Sequence, residues 1–230
     1  MIGIITMTEA NKPFQKLKRQ FEEFSDPQKA IKMSAYMKDH FSFYGIQTPQ
    51  RRKLYSNIIK ADKQSKQINW ELLQLAWKQP QREWQYFVCD YLIALKTIIQ
   101  TNDLARIKTF SRTKQWWDTI DQLDEVYGAL SMKDKDVKTL MLTYSKDENF
   151  WIRRIAIDHQ LGFKEKTDNQ LLQQIILNNL ESKEFFINKA IGWALRDYSK
   201  TNPSWVKQFI STHQDKLAPL SIREASKYLH

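Results

Sequence analysis

The sequence predicts an all-α protein, an α-solenoid of HEAT-like helical repeats whose stacked pairs curve into a concave binding surface. Three observations predict it. Only 5 Gly and 6 Pro interrupt 230 residues, and the abundance of Leu, Lys, Gln, Ala and Glu favours helix. Amphipathic segments follow one another with short breaks, and none shows the sustained period-two alternation of a strand. The pair Trp-x-x-Arg occurs at Trp151 and again 42 residues further on at Trp193, which fits the period of about 40 to 47 residues of HEAT-type repeats.

Taken in order, the expected helices are 13–24, 27–41, 48–61, 70–78, 81–100, 101–110, 116–129, 134–144, 150–161, 168–179, 183–198, 203–213 and 220–229. Three starts carry explicit signals. Ser25-Asp26-Pro27, Thr48-Pro49 and Asn202-Pro203 each put a capping side chain before a proline that the first helical turn tolerates. In the fifth segment, Cys89 lies in the apolar run YFVCDYLIAL and reads as core filler. The eleventh, KEFFINKAIGWALRDY, holds Gly192 beside Trp193. A helical Gly costs roughly 1 kcal/mol against Ala, so it points to a close approach of a neighbour or ligand. The apolar opening MIGIITM lacks a basic start and a cleavage site, and residues 1–8 read as a loose tail ahead of one repeat domain over 9–230.

Composition excludes several classes. A single cysteine rules out disulfides and zinc clusters within one chain. The four histidines, His40, His159, His213 and His230, have no short pairing that would place two imidazoles on one ion, so no metal is expected. No apolar stretch approaches the roughly 18 residues needed to span a bilayer, and a cytoplasmic location is expected. Net charge is +10, and residues 1–66 hold 13 Lys or Arg against 6 Asp or Glu, which is +7 of it. Such asymmetry suits a protein that lies on phosphates, although a solvated helical face has the same composition.

The chemistry-bearing pattern is TKQWWDTIDQLDE, where Trp117 and Asp121 stand one helical turn apart. An aromatic wall beside a carboxylate suits a cationic guest. In the repeat reading, Trp117, Asp121, Trp151, Arg154 and Trp193 fall on successive hairpins. There the indoles would flank a sugar or base, Arg154 would grip a phosphate, and Asp121 would be the one anion nearby. The competing reading makes these tryptophans core residues. In FSFYGIQTPQRRKL, Gln47 and the basic run Arg51-Arg52-Lys53 offer phosphate and minor-groove contacts.

The strings WWDTID, NFWIRR, SKEFFINKAIGWALRDYSKTNP, YMKDHFSFYGIQTPQRR and LAPLSIREA resemble, in the same order, the AlkD-type DNA alkylation repair glycosylases over nearly the whole chain after Thr8. The resemblance implies a HEAT-like solenoid on duplex DNA, excision of N3- and N7-alkylated purines, no cofactor, and a clamp that needs no partner subunit. It places the catalytic aspartate on Asp121, two sugar-contacting tryptophans on Trp117 and Trp193, and the phosphate-binding arginine on Arg154. It also puts DNA contacts on Tyr36, Gln47, Phe185 and Phe186, with Arg51, Arg52 and Lys189 as basic neighbours. Glycosylases usually extrude the target nucleotide, whereas this resemblance implies action on a stacked lesion; the residues are compatible with both. No second carboxylate stands at a motif position to protonate a neutral base. Two other classes remain open on the residues alone: a non-catalytic helical-repeat protein binding distorted DNA, and a protein-interaction scaffold.

Overall fold

The structure, a computed structural model, describes residues 11–229, so the expected tail over residues 1–8 lies outside the described residues. Those residues form thirteen α-helices and pack as two compact units, divided between Ile99 and Gln100.

The first unit comprises α1 (Asn11–Glu23), α2 (Pro27–Tyr36), α3 (Thr48–Ser65), α4 (Trp70–Lys78) and α5 (Arg82–Leu95). Helix α5 is its centre, packing on α3 and α4 while α1 covers the same pair. Trp84 of α5 lies edge-on to Phe21 of α1, with ring centroids 4.8 Å apart. Cys89 is fully buried among these residues, as core filler should be. Asp26 caps α2 by accepting from Lys29 N at 3.1 Å. Thr48 caps nothing: it is the first residue of α3, whose cap Gln47 makes no side-chain bond. Helix α2 stops at Tyr36 rather than 41, because the chain turns through left-handed Lys38 and Asp39 at φ 57° and 58°. Helix α3 runs past 61 to a left-handed Lys66, and α5 ends five residues before the expected limit.

Buried Glu83 organises the loop between α2 and α3. Its carboxylate accepts from the backbone N–H groups of Tyr44, Gly45 and Ile46 at 3.0, 2.9 and 3.1 Å, and Gly45 turns there with φ 90°. Burial pushes the Glu83 carboxyl above its ordinary range, opposed by those three donors. A single parallel β-bridge, Ser42 with Gln81, is the only one among the described residues.

The second unit begins with a 3-10 turn at Thr101–Asp103 and continues through α6 (Leu104–Ser111), α7 (Trp117–Ser131), α8 (Lys135–Tyr144), α9 (Phe150–Asp158), α10 (Asn169–Leu177), α11 (Phe185–Ser199), α12 (Pro203–Thr212) and α13 (Pro219–Ala225). Side-chain caps from Asp134, Asn149, Asp168, Glu184 and Asn202 start five of them. Helices α7, α9, α11 and α13 form one row, each packed on the next, while α8 lies on α7 and α9, α10 on α9, and α12 on α11. This two-layer stacking is that of an α-solenoid.

The repeat has a different period from the one expected. The row's helices start at 117, 150, 185 and 219, a step of 33 to 35 residues, so the 42-residue recurrence of Trp-x-x-Arg is coincidental. Trp151 is second in α9, whereas Trp193 is ninth in α11. Two glycines allow the row its close crossings. A Cβ on Gly128 would lie 2.2 Å from the His159 carbonyl oxygen, and one on Gly192 would lie 2.6 Å from Glu224 Cβ.

Candidate active site

The 33-to-35-residue step puts Asp121, Arg154 and Lys189 each fifth in its helix, so stacking alone brings them into one file. Arg154 reaches back to α7 as a fork. Its Nε donates to Asp121 Oδ1 at 2.6 Å and its Nη2 to Oδ2 at 2.7 Å, while Nη1 donates to the Phe186 carbonyl of α11 at 2.7 Å. The guanidinium also lies 5.2 Å from the centroid of the Trp193 ring. One buried cation therefore ties together a carboxylate, an indole and three helices. Such bidentate, charge-assisted pairs are short and directional.

The Arg154 side chain is 2% exposed and Asp121 21%. Burial pushes the Asp121 carboxyl above its ordinary range, against the pull of the guanidinium, and nearby Asp118 adds to the rise. Trp117, four residues before Asp121, is half-buried on the same face of α7.

Two further carboxylates stand behind the fork, which corrects the expectation of Asp121 as the one nearby anion. Asp124 is buried on α7 and Asp158 on α9. One oxygen from each of Asp121, Asp124 and Asp158 falls within 4.8 Å of the others. At that separation two ionised carboxylates repel by roughly 3.5 kcal/mol for an effective dielectric of 20. Burial and then the Asp158 charge drive the Asp124 carboxyl far above its ordinary range; burial, with Asp121, raises Asp158 to about 7 against the pull of Arg154. These groups could have been found from the sequence: Asp118, Asp121 and Asp124 follow at three-residue helical spacing, and Asp158 lies one turn beyond Arg154.

Trp193 is bracketed by cations. Lys189 Nζ and the Arg196 guanidinium lie 5.6 and 5.9 Å from its ring centroid. Both are held by Glu224 of α13, at 3.0 and 2.9 Å, and Lys227 joins at 2.8 Å. Hydrogen bonding from Lys227 first, then from Lys189, holds the Glu224 carboxyl down to about 2.

Other expected positions behave differently. Trp151 does not line an open wall. It is buried, with ring centroids 5.5 Å from Trp116, 4.7 Å from Phe186 and 4.6 Å from Phe150. Phe186 belongs to this cluster, while Phe185 at its edge is 55% exposed. The guanidinium of Arg154 faces protein acceptors on all three nitrogens, so a phosphate would have to draw it outward.

In the first unit, Tyr36 is 70% exposed at the end of α2, and Gln47 is exposed at the start of α3. Arg51 is a correction: it is turned inward, over the Tyr86 ring at 4.4 Å, with Nε donating to Tyr55 Oη at 3.2 Å. Arg52 is 60% exposed but forks onto Asp90, Nη2 at 2.7 Å, and Tyr55 Oη donates a short hydrogen bond to the same carboxylate.

Comparison with known proteins agrees with the fold and with the motif strings. A family model described as DNA alkylation repair enzyme matches residues 17–229. The solved structure of a predicted DNA alkylation repair enzyme from Enterococcus faecalis is 35% identical, with a TM-score of 0.81 over 89% of this chain and 96% of that one. AlkD2 from Streptococcus mutans shares 18% identity and a TM-score of 0.58, covering 74% and 90% of the two chains. The protein smu.31 from Streptococcus mutans UA159 shares 16% and 0.61, covering 95% and 100%; these two show likeness of fold alone. No curated protein matches the chain. Among the described residues, no helix is long and apolar enough to cross a membrane.

Proposed function

This chain belongs to the DNA alkylation repair enzyme family, and from that premise we propose that it hydrolyses the N-glycosidic bond of N3- and N7-alkylated purines in duplex DNA, as a monofunctional glycosylase of base excision repair with Asp121 at its centre. The observation that carries the reading is the Arg154 fork, which holds Asp121 in one orientation while lying against Trp193.

The chemistry follows from the substrate's charge. A purine alkylated at N3 or N7 is cationic and leaves neutral, so the departing base needs little acid help, and positive charge develops on the deoxyribose. A carboxylate about 4 Å from that charge supplies up to roughly 4 kcal/mol at an effective dielectric near 20, equivalent to about three decades of rate. Asp121 supplies this anion and orients the attacking water. Trp117 and Trp193 hold the sugar through their π faces. Arg154 aligns Asp121 through its two-point fork and helps keep the carboxylate ionised against the pull of burial. Phe185, Tyr36, Gln47, Arg52 and Lys189 contact the duplex. Uncharged purines and uracil are poor substrates, because such a base leaves as an anion unless an acid protonates it, and Asp121 serves here as the anion.

A second reading has one observation in its favour: Asp121 is closed in an ion pair with Arg154, as it would be in a non-catalytic protein that binds distorted duplexes. Single-turnover release of 7-methylguanine from a duplex with one lesion separates the two. Release by the wild type and not by Asp121→Asn, with duplex affinity kept within a few fold, is the glycosylase outcome. Salt-sensitive duplex binding without release by either protein is the architectural outcome.

A further inference from the structure

We infer that Asp124 and Asp158 share one proton behind Arg154 and are positioning residues, keeping the guanidinium forked on Asp121; this rests on the glycosylase reading for its functional consequence and on geometry for the proton itself.

The geometry is a charge count. One guanidinium faces three carboxyl groups whose oxygens converge within 4.8 Å. Asp121 takes two of its three nitrogens. Asp158 is 1% exposed, receives no hydrogen bond on either oxygen, and touches the cation only at 3.7 Å through Nη2. An ionised carboxylate so buried and so poorly solvated is unfavourable. A second carboxyl beside it, Asp124, makes the doubly ionised pair worse, and two such groups titrate as a unit that retains one proton.

The surrounding charges do not remove the need for that proton. On α7 the group facing the pair is Asp121, itself next to Asp118, and both are acidic. On α9 they are Arg154 and the neighbouring His159, which burial holds neutral, its pKa lowered to about 4. On α11, Lys189 and Arg196 are engaged by Glu224. Lys138 of α8 pairs with Asp168, the cap of α10, at 3.0 Å. Among the described residues, Arg154 is thus the one cation directed at these three acids.

The pair governs where the guanidinium sits. While the proton is present, Asp121 is the stronger attractor and the fork holds. When that proton passes to buffer base as pH rises, the charge of the pair doubles from one to two, with Asp158 3.7 Å from Nη2, and draws Arg154 toward Asp158. Asp121 then loses its two-point alignment, and base release slows, since reacting groups lose rate steeply when misplaced.

The test is a carboxyl-carbon NMR titration of the full chain with labelled Asp, for wild type, Asp124→Asn and Asp158→Asn, alongside pH profiles of single-turnover 7-methylguanine release. In the wild type, one carboxyl of the pair titrates well above the ordinary carboxylate range. Removing either partner lowers the midpoint of the other by one pH unit or more, a tenfold loss of proton affinity. Base release in the wild type declines about tenfold as pH rises through that upper midpoint, and Asp158→Asn removes the decline. Titration of both wild-type carboxyls in the ordinary range, or an unmoved partner after either substitution, overturns the shared proton. A shared proton with a flat rate profile overturns the positioning role. The titration needs no activity, so absence of release in the wild type refutes the glycosylase reading and leaves the proton result standing. If Asp158→Asn does not fold, Asp124→Asn answers the same questions.

Discussion

Gly192→Ala joins packing to the site in a single substitution. An added Cβ would lie 2.6 Å from Glu224 Cβ and 3.1 Å from the Ser221 carbonyl. Carbons in ordinary contact sit about 3.5 to 4.0 Å apart, so α13 must retreat from α11 by about 1 Å. The obstacle is the Glu224 stem, which cannot swing aside without moving its helix. Retreat stretches the 3.0 and 2.9 Å contacts to Lys189 and Arg196 to about 4 Å, the limit of an ion pair. Overpacking of this kind costs about 1 to 3 kcal/mol, and the better helix propensity of Ala returns up to about 1 kcal/mol. A net loss of about 1 to 2 kcal/mol is expected, read as a drop of roughly 0.5 to 1 M in the urea midpoint with the slope unchanged. Because Lys189 and Arg196 bracket Trp193, single-turnover release should slow as well. Gly162→Ala is the control: no atom lies within 4 Å of its added Cβ, so its cost comes from the backbone alone, at φ 79°, about 1 to 2 kcal/mol, and release is unaffected. A Gly192→Ala protein as stable as the wild type, with unchanged release, would refute the packing argument.

Three other outcomes are expected. Glu83→Ala strands two buried backbone donors and a part-buried one and should destabilise the first unit by about 3 kcal/mol or more, seen as faster amide exchange at 44–46; exchange at the wild-type rate would refute it. His159 is buried and neutral with its pKa lowered to about 4, so its contribution is complete above about 6.5 and is lost as pH falls toward 4, up to roughly 3 kcal/mol. Adjacent Asp158, raised to about 7, runs the other way, stability falling as pH rises from about 4 to 7. His159→Gln should therefore gain relative to wild type between pH 7.5 and 4.5 in urea unfolding, and a pH-independent difference would count against it. Phe186→Ala should cost about 3 kcal/mol, because its ring packs on Trp116 and Trp151. Phe185→Ala, at an exposed ring, should leave stability within about 0.5 kcal/mol while weakening duplex binding; equal losses of stability would refute the distinction.

The all-α class, the number of helices and most of their starts were legible in the sequence, because caps, prolines and amphipathic spacing act within a few residues of chain. Helix ends were less legible. The left-handed turns at Lys38 and Lys66 occur at residues with no glycine to announce them. Motif strings singled out Asp121, Arg154, Trp117 and Trp193, of which the structure joins Arg154 to Asp121 and Trp193, and the cost of a helical glycine singled out Gly192.

The sequence could not decide how those groups face one another. The true repeat step emerges only when α7, α9, α11 and α13 stack, and that step puts Asp121 and Arg154 at matching positions in adjacent helices. It turns Trp151 into an aromatic cluster, and in the first unit the packing of α3 on α5 turns Arg51 onto Tyr86, although both read as surface groups from their local charge. It also gathers Asp124 and Asp158 behind one guanidinium, 30 residues or more apart in the chain. Local patterns determine which residues become helix, since propensity and capping are short-range. Register between helices is set by close packing at Gly128 and Gly192, so the charge balance of the site is a property of the tertiary structure alone.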